Sequence, residues 1–236
     1  MYEECWGLKE KPFENTPDPK SLYNDRYQKG NTMNILAIGA HPDDIEYGCG
    51  GSLVKFRRKG YKIHLLVMTK GEMGGIPKVR RKEQIVSAKL IGANVYWGGY
   101  KDTETRLDKS LINKIENVIR KVKPHFIFTP YFNDTHQDHR NVSHATFAAT
   151  RYSQNVLFYE ITTTVDFTST SVFVDISDVL DRKLELLKAH RSQAFATRVA
   201  GLSILDSARS CATFRGFQNR VKYAEGFVPF RLSLTP

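Results

Sequence analysis

At 236 residues, with 35 basic against 25 acidic side chains for a net charge of +10, the chain is long enough for one large domain with a sizeable core. Three scattered cysteines, Cys5, Cys49 and Cys211, exclude a disulfide framework, and no apolar stretch reaches the ~20 residues of a membrane span. The basic excess comes with no recognised nucleic-acid motif, and the opening residues lack the basic start and apolar centre of a signal peptide, so a cytoplasmic protein that binds no nucleic acid is expected.

Residues 1–32 read as an irregular arm. Pro12, Pro17, Pro19 and Gly30 interrupt any regular element there, and Trp6, Phe13 and Tyr23 are the side chains with which it would anchor, on the domain or on a second copy of the chain. A homo-oligomer is thereby permitted rather than required. From Met33 onward the rhythm is strand then helix, which predicts an α/β fold: a three-layer Rossmann-like domain over residues 33–236, its mostly parallel sheet flanked by helices.

The first strand, Ile35 to Ile38, runs into Gly39-Ala40 and then His41-Pro42-Asp43-Asp44. One imidazole and two carboxylates within four residues are costly to bury without partners, and they stand at the carboxyl end of a buried strand, where open α/β sheets hold ligands. Imidazole nitrogen and carboxylate oxygen are both good ligands for a metal. Gly48 to Gly51 predicts a tight turn leading into a helix near Ser52. A glycine turn also suits phosphate, but GCGG is neither GxGxxG nor a GxxxxGK[ST] loop. Cys49 reads as a small buried thiol.

A second strand, Ile63 to Thr69, contains His64 as a core or edge histidine, and the glycine-rich segment Lys70 to Pro77 is a candidate pocket wall. The next helix is predicted from Arg80 and Arg81 to Ile91, with Ile85, Ala88, Leu90 and Ile91 as its apolar side. Val95 to Trp97 is a short strand followed by the loop Gly98 to Asp102. Leu111, Ile115, Val118, Ile119 and Val122 fall at helical spacing and stop before Pro124. The strand from His125 to Phe128 then leads to a second polar cluster, Asn133-Asp134-Thr135-His136-Gln137-Asp138-His139-Arg140, opening a helix through Ala149. His136 and His139 are three apart, so they can converge on one spot. Two more strands follow, at Val156 to Glu160 and Ser171 to Asp175, joined by a threonine-rich loop at the pocket. A helix from Asp178 to His190, another from Leu202 to Asn219 and a closing strand at Tyr223 to Phe227 complete the chain.

The pair of motifs, AHPDD with GCGG and a later HQDH, each after an apolar strand, resembles the LmbE-like (PIG-L) family of zinc-dependent N-acetylglucosamine de-N-acetylases, over about Met33 to Phe230. The resemblance implies Zn²⁺ held by His41, Asp44 and His139. It implies Asp43 as general base and His136 as the group that stabilises or protonates the tetrahedral intermediate. It also implies Arg81 as a substrate contact, and Asp138, from its place between the two histidines, is expected at the substrate or as the partner that holds an imidazole. Its substrate would be a small N-acetylated sugar conjugate, cleaved to acetate and an amino sugar. Residues alone leave open a hydrolase of another small amide, or a non-enzymatic metal or nucleic-acid binding module.

Overall fold

The computed structural model describes residues 33–233, and the expected arm at 1–32 lies outside the described residues. Seven strands form one sheet in the order β3-β2-β1-β4-β5-β7-β6. They are β1 (Asn34–Gly39), β2 (Lys62–Val67), β3 (Ala93–Trp97), β4 (Phe126–Pro130), β5 (Val156–Tyr159), β6 (Val172–Asp175) and β7 (Ala224–Arg231). The first five pair in parallel, and β7 runs antiparallel to both β5 and β6. The expected α/β architecture is therefore observed.

Among the described residues the helices are α1 (Asp44–Arg58), α2 (Pro77–Ile91), α3 (Lys109–Val122), α4 (Gln137–Ala149), α5 (Leu180–Ala189), the single turn α6 (Arg191–Ala194) and α7 (Ile204–Asn219). Alternation along β1 divides the core in two. Ile35 and Ala37 pack with residues of α1, α2, α5 and α7 on one face. Leu36 and Ile38 pack with Leu111, Ile115, Val118 and Val122 of α3 and Val142 and Ala145 of α4 on the other. The fully buried Ile35, Leu36, Ile38, Leu111 and Ile115 side chains each contribute roughly 1.5–3 kcal/mol of transfer free energy. The stripe in α3 is well bounded: the Asp108 carboxylate accepts from Leu111 N at 2.9 Å, and Lys123 leaves the helix at φ 50° before Pro124.

Two expectations about local structure are corrected. The glycines of GCGG do not form a turn, because α1 begins at Asp44 and runs straight through them. Their smallness serves packing: a Cβ on Gly48 would stand 2.0 Å from Cδ2 of Tyr159, whose ring is buried beneath the helix and whose hydroxyl donates to Ile38 O. Ile85 of α2 does not face the core. It is among the exposed apolar side chains, while Gln84, Ser87, Ala88 and Ile91 form the buried face around a buried glutamate, Glu46.

The order of strands places a switch point between β1 and β4, where connections leave to opposite sides and a crevice opens beyond the carboxyl ends. Both polar clusters sit at that edge.

Candidate metal centre

The turn after β1 is held by Asp44, whose Oδ2 accepts the backbone N–H groups of Ala40 and His41 at 2.9 and 2.8 Å. This folds the chain so that the His41 ring and the Asp44 carboxylate face the same way. His139, one turn into α4, meets them. His41 Nδ1 lies 3.0 Å from His139 Nε2, His139 Nε2 lies 3.3 Å from Asp44 Oδ2, and His41 Nδ1 lies 3.6 Å from the same oxygen. Three donor atoms thus form a triangle whose sides match the separation of about 3.3 Å between ligands of a tetrahedral ion with bonds of about 2.0–2.1 Å.

Each imidazole is turned by its far nitrogen. His41 Nε2–H points at Asp102 Oδ1 (3.0 Å) and Asp138 Oδ2 (3.2 Å), and His139 Nδ1–H points at Asp134 Oδ1 (3.0 Å). Protons belong on those nitrogens, and the lone pairs on Nδ1 of His41 and Nε2 of His139 are then directed into the triangle, the arrangement by which carboxylates orient metal-binding histidines. The residues present therefore fit a divalent cation. The three supporting carboxylates are themselves fixed: Met73 N donates to Asp102, Thr103 N and Thr105 Oγ1 to Asp138, and His136 N and Thr163 Oγ1 to Asp134.

Electrostatics follow from this crowding. Burial works against charging His139, yet the Asp44 charge and hydrogen bonds to Asp134 and Asp44 lift it to about 9. Burial also opposes charge on His41, and Asp102, Asp138 and Asp44 together raise it well above the usual imidazole value. Burial raises carboxylates, but His139 and His41 hold Asp44 well below its ordinary value, and the His41 hydrogen bond brings Asp102 down to about 2.

Asp43 behaves oppositely. Burial pushes it up to about 6 against the pull of the Arg80 charge. Its carboxylate lies outside the triangle, 3.3 Å from Arg80 Nη2, and its backbone stands at φ 95° as the residue before α1. A non-glycine residue there is strained, a feature of functional sites whose surroundings force the geometry. His136 precedes α4, and its Nδ1 accepts from Asp138 N at 3.1 Å. The remaining ring proton is therefore on Nε2. Its ring centre lies 4.6 Å from that of His41 and 4.8 Å from that of His139. Burial, then the neighbouring imidazoles, lower its pKa, so it is neutral at pH 7.

These groups line one side of a cavity of about 330 Å³. Of the residues expected from the sequence, His41, Asp43, Asp44, His136 and His139 all border it. Asp138 is fully buried and spends its oxygens on His41, Thr103 and Thr105 rather than on the cavity. Arg81 does not reach the cavity either: it is exposed, with its guanidinium 5.5 Å from the centre of the Trp97 ring. One residue earlier on the helix, Arg80 is buried and reaches the cavity, donating to Gly71 O, Pro42 O and Asp43. The arginine at the site is thus Arg80, because helical rotation of about 100° per residue turns its neighbour to solvent. Sequence reasoning also passed over Asp102, Asp134 and Glu46; the run His190 to Gln193 does resemble a late motif of the family, and His190 Nε2 stands 3.5 Å from Glu46 Oε2 behind Asp43. Only Asp134 carried a signal, as a third acidic residue in the second motif.

The chain as a whole is similar to several known proteins. A family model described as GlcNAc-PI de-N-acetylase (PIG-L) matches residues 36–150. The chain is 35% identical to the uncharacterized deacetylase YaiS of Escherichia coli, over 67% of this chain and 90% of that protein. It is 28% identical to the diacetylchitobiose deacetylase of Thermococcus kodakarensis, over 84% of each. Among solved structures, the N,N'-diacetylchitobiose deacetylase of Pyrococcus horikoshii superposes with a TM-score of 0.75 at 27% identity, covering 90% of this chain and 89% of that one.

Proposed function

Because the chain belongs to the PIG-L family, the GlcNAc-PI de-N-acetylases and their relatives, we propose that it hydrolyses the N-acetyl group of an N-acetylglucosamine-type sugar conjugate in a zinc-dependent reaction, releasing acetate and an amino sugar. The observation that carries this is the triangle of His41 Nδ1, Asp44 Oδ2 and His139 Nε2 with Asp43 beside it but outside it. Two imidazoles and one carboxylate are a zinc donor set, with a fourth position open for water. A bound zinc ion supplies a water whose pKa is near about 7, and it polarises a carbonyl oxygen.

The chain's own groups do the rest. Asp43, with a pKa near 6, is matched to accept a proton from the attacking water and to return it to the leaving nitrogen. His136 presents Nε2–H to the developing oxyanion. Asp102, Asp138 and Asp134 keep the two ligand imidazoles in register. Arg80 fixes Asp43 and ties it to the Gly71 loop.

Metal analysis with acetate release from N-acetylglucosamine conjugates tests the proposal. His41→Ala and His139→Ala should lose both metal and turnover, while Asp43→Ala should keep metal and lose turnover. A fully active Asp43→Ala protein rejects the assigned base, and metal-replete protein releasing no acetate from any N-acetylated sugar rejects the reaction.

A further inference from the structure

The cavity lining combines two unlike kinds of side chain. Beside the polar groups, the lining includes Tyr47 of α1, Ile161 after β5, Leu187 of α5 and Ile204 of α7, apolar side chains drawn from four separate parts of the chain. The methyl of an acetyl group requires only a small part of that surface. The segment between the two lining residues Gln193 and Ile204 carries it outward, with Phe195, Val199 and Leu202 exposed by 71%, 59% and 55%. Across the mouth Met73 is 75% exposed, and the two rims are joined by a hydrogen bond from Gln193 Nε2 to Gly74 O at 2.9 Å.

Charge gives the complementary half. The net charge of +10 is not in the cavity. Lys78, Arg81 and Lys82 are exposed and none of them lines it. Its single arginine, Arg80, has both terminal nitrogens engaged, by Gly71 O at 2.9 Å and by Pro42 O at 2.8 Å and Asp43 at 3.3 Å. Against it stand the carboxylates of Asp43, Asp44 and Asp102. Away from a bound metal ion, a carboxylate or phosphate on the substrate would meet, among the described lining residues, no cation free to receive it, which is unfavourable. Neutral hydroxyls can pair instead with Thr162 and with the Oε1 of Gln193, whose Nε2 is held by Gly74 O.

We infer that the group attached to the N-acetylated sugar is uncharged and apolar, lying against Tyr47, Ile161, Leu187 and Ile204 and emerging along the 195–202 segment. This rests on the deacetylase reading and narrows its substrate class.

Acetate release by the metal-loaded enzyme is measured for N-acetylglucosamine, its octyl β-glycoside and its 1-phosphate at constant ionic strength. The octyl glycoside should exceed the free sugar at least tenfold in kcat/KM, and the 1-phosphate should fall below the free sugar. Ile204→Lys, and Met73→Lys at a position too exposed to disturb folding, should each erase most of the octyl advantage. Calorimetric binding of the octyl glycoside to Asp43→Asn protein should show the same ranking without turnover. A 1-phosphate equal to or better than the octyl glycoside overturns the inference while leaving the reaction standing. Absence of acetate from all three overturns the reaction, and the inference falls with it.

Discussion

Replacing Asp43 by asparagine should move activity and stability in opposite directions. Asparagine tolerates the left-handed backbone at φ 95°, so the turn survives, and Asp43 is not a corner of the ligand triangle, so bound metal should be unchanged. Turnover should fall by about 10²–10⁴-fold, the usual worth of a positioned general base. Stability of the metal-free protein should rise. The wild-type carboxyl has a pKa near 6 in the fold, against 3.8 as its reference. Its ionised form is therefore disfavoured by folding, and the deficit of about two units corresponds to at most about 3 kcal/mol. The attraction of Arg80 is already contained in that raised value, so the gain is at most about 3 kcal/mol. The sign follows from the raised pKa: wild type carries no penalty below about pH 4, acquires it as pH rises through about 6, and carries it in full above. Urea unfolding of metal-free wild-type and Asp43→Asn proteins between about pH 4 and 8 should show curves that coincide at the acid end and separate with increasing pH. A variant no more stable at pH 8, or one retaining more than a tenth of wild-type kcat/KM with metal bound, would refute the reasoning.

Arginine register offers a second check. Arg80→Ala should lower kcat strongly by freeing Asp43 and the Gly71 loop, whereas Arg81→Ala should stay within about twofold of wild type. Equal losses in steady-state assays would contradict the placement of the two side chains. Asp134→Ala removes the acceptor behind His139 Nδ1 and should weaken metal affinity by about 10–100-fold, read by competition with a chelating dye; unchanged affinity would deny it that role. Gly48→Ala drives a methyl to 2.0 Å from the Tyr159 ring and should cost at least about 2 kcal/mol in urea unfolding, and a stable variant would show that the helix and ring can separate freely.

What could be read from sequence depended on the range of the signal. β1, β2 and β4 announce themselves as apolar runs because a parallel strand is buried on both faces, and α3 does so through five apolar residues at helical spacing. Both motifs follow directly from such strands, so their convergence at one sheet edge was legible. The glycines after His41-Pro42-Asp43-Asp44 were misread because glycine favours turns locally, while their reason is the Tyr159 ring, which is distant in sequence. Arg80 and Arg81 differ only by rotation about α2, which a pattern without a clear apolar stripe cannot fix. Asp102 left no local trace at all. It lies in a loop after β3, and its importance exists only through His41, 61 residues away.

Buried charge gives an argument for the valence of the occupant. Asp44, Asp102, Asp134 and Asp138 are all buried around the triangle, and the side chains bonded to them that can carry positive charge are His41 and His139. When no cation is bound, the 3.0 Å between His41 Nδ1 and His139 Nε2 leaves room for one proton between the two nitrogens and not for two. The carboxylates keep that one in place, raising His41 well above its usual value and His139 to about 9. Ligation requires both nitrogens to be free, so a bound ion displaces the shared proton. A monovalent ion would then leave the charge facing the four carboxylates unchanged, whereas a divalent ion adds one positive charge to it. Below about pH 8 the apparent zinc affinity should therefore rise about tenfold per pH unit, one proton being released from the pair per ion. Chelator competition across about pH 6–8, paired with calorimetry in buffers of different ionisation enthalpy, measures both quantities. A slope near zero would mean that both imidazoles are already unprotonated at these nitrogens in the metal-free site.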